Sequence, residues 1–260
     1  NITGTYGDME FIDGEATVTL KAGESATATD LLYGTTYTVT QTAKEGFITS
    51  PKVEDLLIAT GTISTSSTQA TFTNTRETGS LKVTNTVYPS SDNTAFMFMV
   101  KLSDTTISGE YGDMTFDAGE ATFPLSNGQT TTATGLPTTV EYTVTQMVNN
   151  DFSTTKTGDE GTISTNQSEA AFKNIKLTVA NFDIDWHDGG NTSSRPELTT
   201  TLLSKIDGDE SQQVQTITLN EENNWQATIR NLPMYNEDGL EIVYSWSEIA
   251  NVPSGYLLTD

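Results

Sequence analysis

Apolar and polar residues alternate along most of this chain, in short runs broken by turn-forming residues. Ala16-Thr17-Val18-Thr19-Leu20 alternates, Lys21-Ala22-Gly23-Glu24 turns, and Tyr37-Thr38-Val39-Thr40 alternates again. A period of two is the signature of a strand with one face buried. Thr71-Phe72-Thr73 reads as a further strand, while no stretch sustains the 3.6-residue period of a long helix. The pattern predicts an all-β protein.

The runs recur. Tyr6-Gly7-Asp8-Met9 returns at Tyr111-Gly112-Asp113-Met114, Gly14-Glu15-Ala16-Thr17 at Gly119-Glu120-Ala121-Thr122, and Tyr37-Thr38-Val39-Thr40-Gln41 at Tyr142-Thr143-Val144-Thr145-Gln146. These pairs share the offset from residue 6 to residue 111. Gly61-Thr62-Ile63-Ser64-Thr65 returns at residue 161, so one loop is five residues shorter in the second copy. A single loop deletion inside a preserved pattern identifies two copies of one domain.

Gly79 to Val87 and Phe96 to Leu102 read as the first two strands of the second copy. Asn1 aligns with Thr106, so the first copy has no counterpart of either. A sandwich without two strands exposes unpaired edges. The expectation is a piece of a longer polypeptide, with completion by strands from another chain as the alternative. From about residue 176 a third, unlike segment follows, again in short strands with polar turns. The expected divisions are 1–78, 79–175 and 176–260, with the first lacking its first two strands and the third its last. The junctions are short, which predicts a stiff, extended row.

Charge narrows the functions. The formal net charge is −23, from 12 Lys+Arg against 35 Asp+Glu. Nucleic acid needs basic surface to neutralise phosphates, so it is excluded as a partner, and an anionic membrane surface is disfavoured for the same reason. Each of the three segments has 4 basic residues, against 10, 11 and 14 acidic ones. The acidity is therefore spread along the chain rather than held in a tail. No run of 18 apolar residues exists to cross a membrane as a helix. With no Cys and a single His, disulfides, thiolate nucleophiles and multi-histidine metal sites are absent.

The second copy, with Gly79-Ser80-Leu81-Lys82-Val83-Thr84-Asn85, Phe96-Met97-Phe98-Met99-Val100 and Ala170-Ala171-Phe172-Lys173-Asn174, resembles the collagen-adhesin B-type (Cna B-type) repeat domains of Gram-positive surface proteins and pilins. The third segment resembles another branch of that family. It carries Asp185-Trp186-His187-Asp188, Arg195-Pro196-Glu197, Asn231-Leu232-Pro233 and Val252-Pro253-Ser254-Gly255-Tyr256. The resemblance implies tandem transthyretin-like or immunoglobulin-like Greek-key β-sandwich domains, strung as a stalk or pilus shaft in the cell wall. It also implies a Lys–Asn isopeptide bond between first and last strands, in which a buried, deprotonated Lys attacks the Asn side chain while a buried acid moves protons.

This chain departs from that pattern. Inward alternation from Leu81 and Val83 places Asn85 at the lysine position. The acid position holds Gln146, with Asn174 as the acceptor. Lys82 is adjacent but alternation points it to the opposite face. Three unreactive amides, hydrogen-bonded to one another or to water, are expected, with no crosslink. The partial equivalents are Gln41 and Asn74 in the first copy, and Ile184 and Glu248 in the third segment. Val87-Tyr88-Pro89-Ser90 resembles the pilin motif whose lysine joins one subunit to the next, with Ser90 at the lysine's place.

Other chemistry has bland readings. Asp183, Asp185, Asp188 and Asn191 around Gly189-Gly190 could hold calcium, but their spacing fails the EF-hand register, and a solvated acidic turn is expected. His187 reads as a surface residue. Adjacent acids such as Glu221-Glu222 are expected by chance among 35. Phe96, Met97, Phe98 and Met99 make a strand apolar on both faces; plain core packing is the default reading, with cover on both sides, as by a neighbouring domain, the alternative. Trp186, Trp225 and Trp246 read as core of the third segment, with carbohydrate stacking as the alternative. The expectation is a non-enzymatic stalk segment of a bacterial cell-surface adhesin or pilin-like protein, without cofactors. Its partners would be neighbouring domains and other copies by strand complementation. The alternative is an adhesive module that binds a host protein or glycan through the third segment.

Overall fold

The computed structural model describes residues 2–190 and 195–258, all of them strand, turn or irregular chain. It separates into two compact units, Asn1–Glu77 and Thr78–Asp260.

In the first unit, β1 (Gly4–Tyr6) and β2 (Met9–Phe11) form a hairpin, β3 (Thr36–Thr40) pairs with β5 (Ile58–Thr62), and β4 (Phe47–Ser50) pairs with β6 (Thr73–Arg76). The repeated Tyr-Gly-Asp-Met motif is the β1–β2 turn. Gly7 sits at φ +60°, and a Cβ there would lie 2.3 Å from the Thr27 carbonyl oxygen. Only glycine permits that approach. The approach lets the Asp8 amide donate to the Thr27 carbonyl and the Asp8 carboxylate accept from the Thr27 amide, at 2.8 and 2.9 Å.

Two sequence expectations change here. Ala16–Leu20 is not a strand, and the last strand of the copy begins at Thr73 rather than Thr71. The first difference has a physical cause, visible in the second copy. There the equivalent run is a strand because it has a ladder partner.

The second unit opens with β7 (Thr78–Tyr88) and β8 (Phe96–Leu102), followed by the hairpin β9 (Gly109–Tyr111) and β10 (Met114–Phe116). After these come β11 (Glu120–Leu125), β12 (Thr130–Pro137), β13 (Glu141–Gln146), β14 (Phe152–Thr157), β15 (Glu160–Thr162) and β16 (Gln167–Asp183). One sheet has the order β12-β7-β16-β14, and the other β11-β8-β13-β15. Alternate residues of β7 and β8 point between the sheets, so Leu81, Val83, Val87, Phe98 and Val100 are wholly buried. Phe98 meets Phe172 edge to face across the core, with ring centroids 5.0 Å apart. The opposite face of β8 is not covered as its apolar sequence suggests, since Met97 is 37% exposed.

Strands β7 and β16 are parallel neighbours, paired from Ser80–Gln167 to Tyr88–Ile175. β16 does not stop there. It runs for 17 residues, and its last part pairs with β19 (Gln226–Pro233) of the third segment. The remaining strands, β17 (Leu198–Ile206), β18 (Gln212–Leu219) and β20 (Ile242–Trp246), form a sheet of order β18-β17-β20. Between these layers lie Leu198, Leu219, Trp225, Leu202 and Leu232.

Contacts beside β16 bind the segment to the second copy. Leu177 N–H donates to the Asp151 carbonyl, Met234 N–H to the Lys176 carbonyl, and the Lys173 ammonium to the Glu237 carbonyl. Tyr235 lies against Tyr88, and Gly239 sits under the Tyr88 ring where a Cβ would come within 2.3 Å. Lys176 pairs with Asp92 at 2.8 Å. That bond, with help from Thr94, lowers the Asp92 carboxyl from 3.8 to about 2. The strand and its side contacts leave no flexible linker between residues 167 and 183.

Candidate functional site

The side chains of Asn85, Gln146 and Asn174 meet inside the second copy. β7 delivers Asn85 on the same inward alternation as Leu81 and Val83, and β16 delivers Asn174 two residues beyond Phe172. Both amides are buried, at 1% and 0% exposure. Asn174 Nδ2 donates to Asn85 Oδ1 at 2.8 Å and to Gln146 Oε1 at 2.9 Å. Asn174 Oδ1 accepts from Gln146 Nε2 at 2.8 Å and from Thr154 Oγ1 at 2.6 Å. Asn85 Nδ2 finishes the network on the Leu125 carbonyl at 2.9 Å. Gln146 belongs to the β8-containing sheet and the two asparagines to the other, so the cluster ties the layers together.

Sequence reasoning missed Thr154. It faces Asn174 as the direct cross-strand pair between β14 and β16. The signal was present: Thr49 occupies the equivalent place in the first copy, at the shared offset. Thr49 pairs directly with Asn74 in the β4–β6 ladder and donates to its Oδ1 at 2.6 Å. Gln41 Nε2 donates to the same oxygen at 2.6 Å. The Gln–Thr–Asn arrangement is thus built twice. In the first copy Asn74 is exposed, and its Nδ2 donates to Gln41 Oε1 at 3.4 Å.

The chemistry of the buried cluster follows from its atoms. An amide nitrogen shares its lone pair with its carbonyl and is not a nucleophile, and no member ionises at ordinary pH. The neighbouring lysines face outward: Lys82 pairs with Glu169 at 3.1 Å, and Lys173 reaches Glu237. The cluster can satisfy buried polar groups and fix register, but it offers no amine and no proton carrier.

The third segment places its two candidates apart in environment. Ile184 is half-buried with Phe182 and Trp186, while Glu248 is exposed. The tryptophans are occupied by the fold. Trp225 Nε1 donates to the Pro196 carbonyl and Trp246 Nε1 to the Asn181 carbonyl. The Arg195 guanidinium lies 5.5 Å from the Trp186 ring centre and 5.6 Å from that of Trp225. Arg195 also grips Asp188 through two nitrogens, at 2.7 and 3.0 Å, and holds its carboxyl at about 2. Asp188 is thereby an ion-pair partner with its side chain only 5% exposed, rather than the solvated acid expected, Asp185 contacts His187, and Asn191 lies outside the described residues. Among the described residues no three acids or histidines group as a metal site, and no helix is long and apolar enough to cross a membrane.

A family model described as a domain of unknown function, DUF7601, matches residues 1–76 and again 79–176. The chain belongs to the DUF7601 family. Residues 183–259 of this DUF7601 chain match the Cna protein B-type domain, so the B-type resemblance falls on the third segment and the repeats carry their own family model. No curated protein matches the chain.

Among solved structures, a pilus-presented adhesin, Cpa, is 23% identical over 38% of this chain, with a TM-score of 0.33. The chain spans 27% of that protein's length. A single B repeat unit of the collagen binding surface protein of Staphylococcus aureus is 19% identical, with 70% of this chain and 90% of that chain covered and a TM-score of 0.27. The TIE protein of Bacillus anthracis is 15% identical over 95% of this chain and 44% of its own, with a TM-score of 0.38. The fold is all-β, with two facing sheets in the second copy, and residues 183–259 carry the B-type domain match.

Proposed function

We propose that this DUF7601 chain is a tension-bearing stalk segment of a Gram-positive cell-surface protein, with three β-sandwich domains along its sequence and without catalytic activity. One observation carries the reading. In the second copy the first and last strands, β7 and β16, lie side by side in parallel, and β16 continues as a strand of the next segment. Pulling β7 and β16 from opposite ends slides one along the other. Every hydrogen bond of that ladder is then loaded together, instead of one at a time as when a hairpin is unzipped. Across the same seam run the hydrogen bond from the Asn174 amide to the Asn85 amide and the Lys82–Glu169 ion pair. On the B-type resemblance, the amide cluster would occupy the crosslink position of that family, and it holds register without a covalent bond. The uniform acidity supports the reading, because like-charged neighbours repel and disfavour collapse.

Single-molecule force measurements test it. The chain has no native Cys, so pairs of introduced cysteines define the pulling points without competition. Handles at Thr78 and Asp183 load the β7–β16 ladder lengthwise. Handles at Lys101 and Glu120, which face each other across β8 and β11, open that pair crosswise. The first geometry is expected to need the higher force. Equal forces would refute the load-bearing role.

A further inference from the structure

The turn between β11 and β12 recurs in the first unit. Ser126 N–H donates to the Gln129 side-chain oxygen at 2.8 Å and Gln129 N–H to the Ser126 carbonyl at 3.1 Å. In the same way Lys21 N–H donates to the Glu24 carboxylate at 2.7 Å and Glu24 N–H to the Lys21 carbonyl at 3.1 Å. Gly128 and Gly23 share a positive φ, +71° and +78°. The residue before the glycine differs, Ala22 in the first copy and Asn127 in the second. Alanine closes the turn, so the turn itself does not require an asparagine. Asn127 instead reaches out of it. Its Oδ1 accepts from the Val87 amide at 2.8 Å, and its Nδ2 donates to the Ser90 carbonyl at 2.9 Å. It takes over from β12, whose ladder with β7 ends at the Thr84–Thr130 pair. The loop it braces carries Tyr88, which lies against Gly239 and Tyr235, and Asp92, which pairs with Lys176. One side chain therefore steadies the loop that grips the third segment.

Asn127-Gly128 is also the only asparagine–glycine pair in the chain. Glycine has no side chain to shield its amide nitrogen from the preceding carboxamide. We propose that Asn127 is a deamidation site, held back by the fold, whose conversion loosens this loop and with it the grip on the third segment. The Gly128 nitrogen gives its proton to hydroxide and bonds to Asn127 Cγ, while the Cγ–Nδ2 bond breaks and the side-chain nitrogen leaves as ammonia. Water then opens the cyclic imide. Cleavage from Cγ leaves an aspartate, and cleavage from the main-chain carbonyl carbon leaves an isoaspartate, with the backbone running through the side chain. The sum consumes a water and releases an ammonia, and nothing is oxidised or reduced. Two sets of contacts hold the step back. Gly128 N–H is donated to the Asn85 carbonyl at 2.8 Å, and the carboxamide is pinned at both ends by Val87 and Ser90. All must open together before the nitrogen can reach Cγ. Gly128 is exposed, so solvent base meets the turn once it opens. The product closes poorly, because a carboxylate has no proton for the Ser90 carbonyl and sets its charge against that oxygen. This inference goes beyond the stalk reading and does not depend on it.

The test incubates the full chain at mildly alkaline pH beside a free peptide of residues 121–134. Mass spectrometry reads the gain on replacing the Asn127 amide by a carboxyl. The folded chain is expected to convert at Asn127 between about tenfold and a hundredfold more slowly than the peptide, because the folded turn is open only part of the time. Equal rates overturn the protection assigned to Asn85, Val87 and Ser90. No conversion at Asn127 over about a hundred half-times of the peptide overturns the site. Converted chain is then separated by its extra negative charge, and its hydrogen exchange is compared with that of unconverted chain. Exchange in residues 88–92 and 234–241 is expected to be several-fold faster after conversion, and likewise in Asn127→Asp, which supplies the aspartate product directly. Unchanged exchange in the converted chain overturns the coupling to the third segment, whether or not the variant folds.

Discussion

Asn174→Ala removes the centre of the buried cluster, and the same change at Asn74 removes the centre of its exposed twin. The contrast tests burial together with the Asn85 contact, because the Gln and Thr partners are matched and only the buried cluster has Asn85. In the second copy the truncation strands Asn85 Oδ1 at a site with 1% exposure and takes both bonds from Gln146 and one from Thr154. A buried polar group left without a partner costs about 1–3 kcal/mol, and an ordinary bond whose partner can turn to water about 1 kcal/mol. Gln146 and Thr154 are near solvent, so the total is about 3 kcal/mol for Asn174→Ala. Asn74 is exposed, so water replaces its bonds and Asn74→Ala costs under about 1 kcal/mol. Amide exchange in β7 and β16 should accelerate roughly a hundredfold for Asn174→Ala, since about 1.4 kcal/mol is a factor of ten. Exchange in β4 and β6 should change by less than about fivefold for Asn74→Ala. Equal effects at the two sites, or a larger one at Asn74, would refute the view that the cluster's stabilising role comes from its burial.

Asn85→Lys combined with Gln146→Glu should restore an amine and a proton carrier beside Asn174. The expected product is lighter by one ammonia, with fragments from β7 and β16 joined, whereas Asn85→Lys alone stays uncrosslinked by intact mass. The Asp188 and Asp92 carboxyls are both held at about 2, below the ordinary carboxylate range. Their stabilising contribution is therefore complete above about pH 4 and lost as pH falls towards 2. Tryptophan fluorescence should follow the Asp188–Arg195 part of that loss, because Arg195 lies over Trp186 and Trp225, and Asp188→Asn should flatten the response in this range. Gly239→Ala puts a methyl into the Tyr88 ring at a residue with φ +81°. It should cost about 1–3 kcal/mol through strain and overpacking, read as faster exchange in residues 234–241.

Much of the fold was legible because strand alternation and turn residues act locally. Asn85, Gln146 and Asn174 could be placed on inward faces by counting in twos from apolar neighbours. What was not legible depended on partners. Ala16–Leu20 and Ala121–Leu125 alternate alike, yet only the latter is a strand, because a ladder needs a second chain segment that no local pattern encodes. Thr154 was hidden among many threonines, most of them in strands for their propensity alone. Its role emerges only when the β14–β16 register sets it opposite Asn174. Met97 misled for a related reason, since an apolar residue can face solvent on an antiparallel sheet at little cost.

A strand that belongs to two sheets cannot be divided without harming both. A cut at residue 176, where the repeat ends by its family pattern, would leave residues 177–183 to the third segment as a ragged end. It would also break the chain immediately after Lys176, the residue that clasps Asp92. Gene fusions or exchanges between such chains should therefore succeed when they swap the span from Thr78 to the end of the third segment as one cassette, and fail when they join at the repeat boundary.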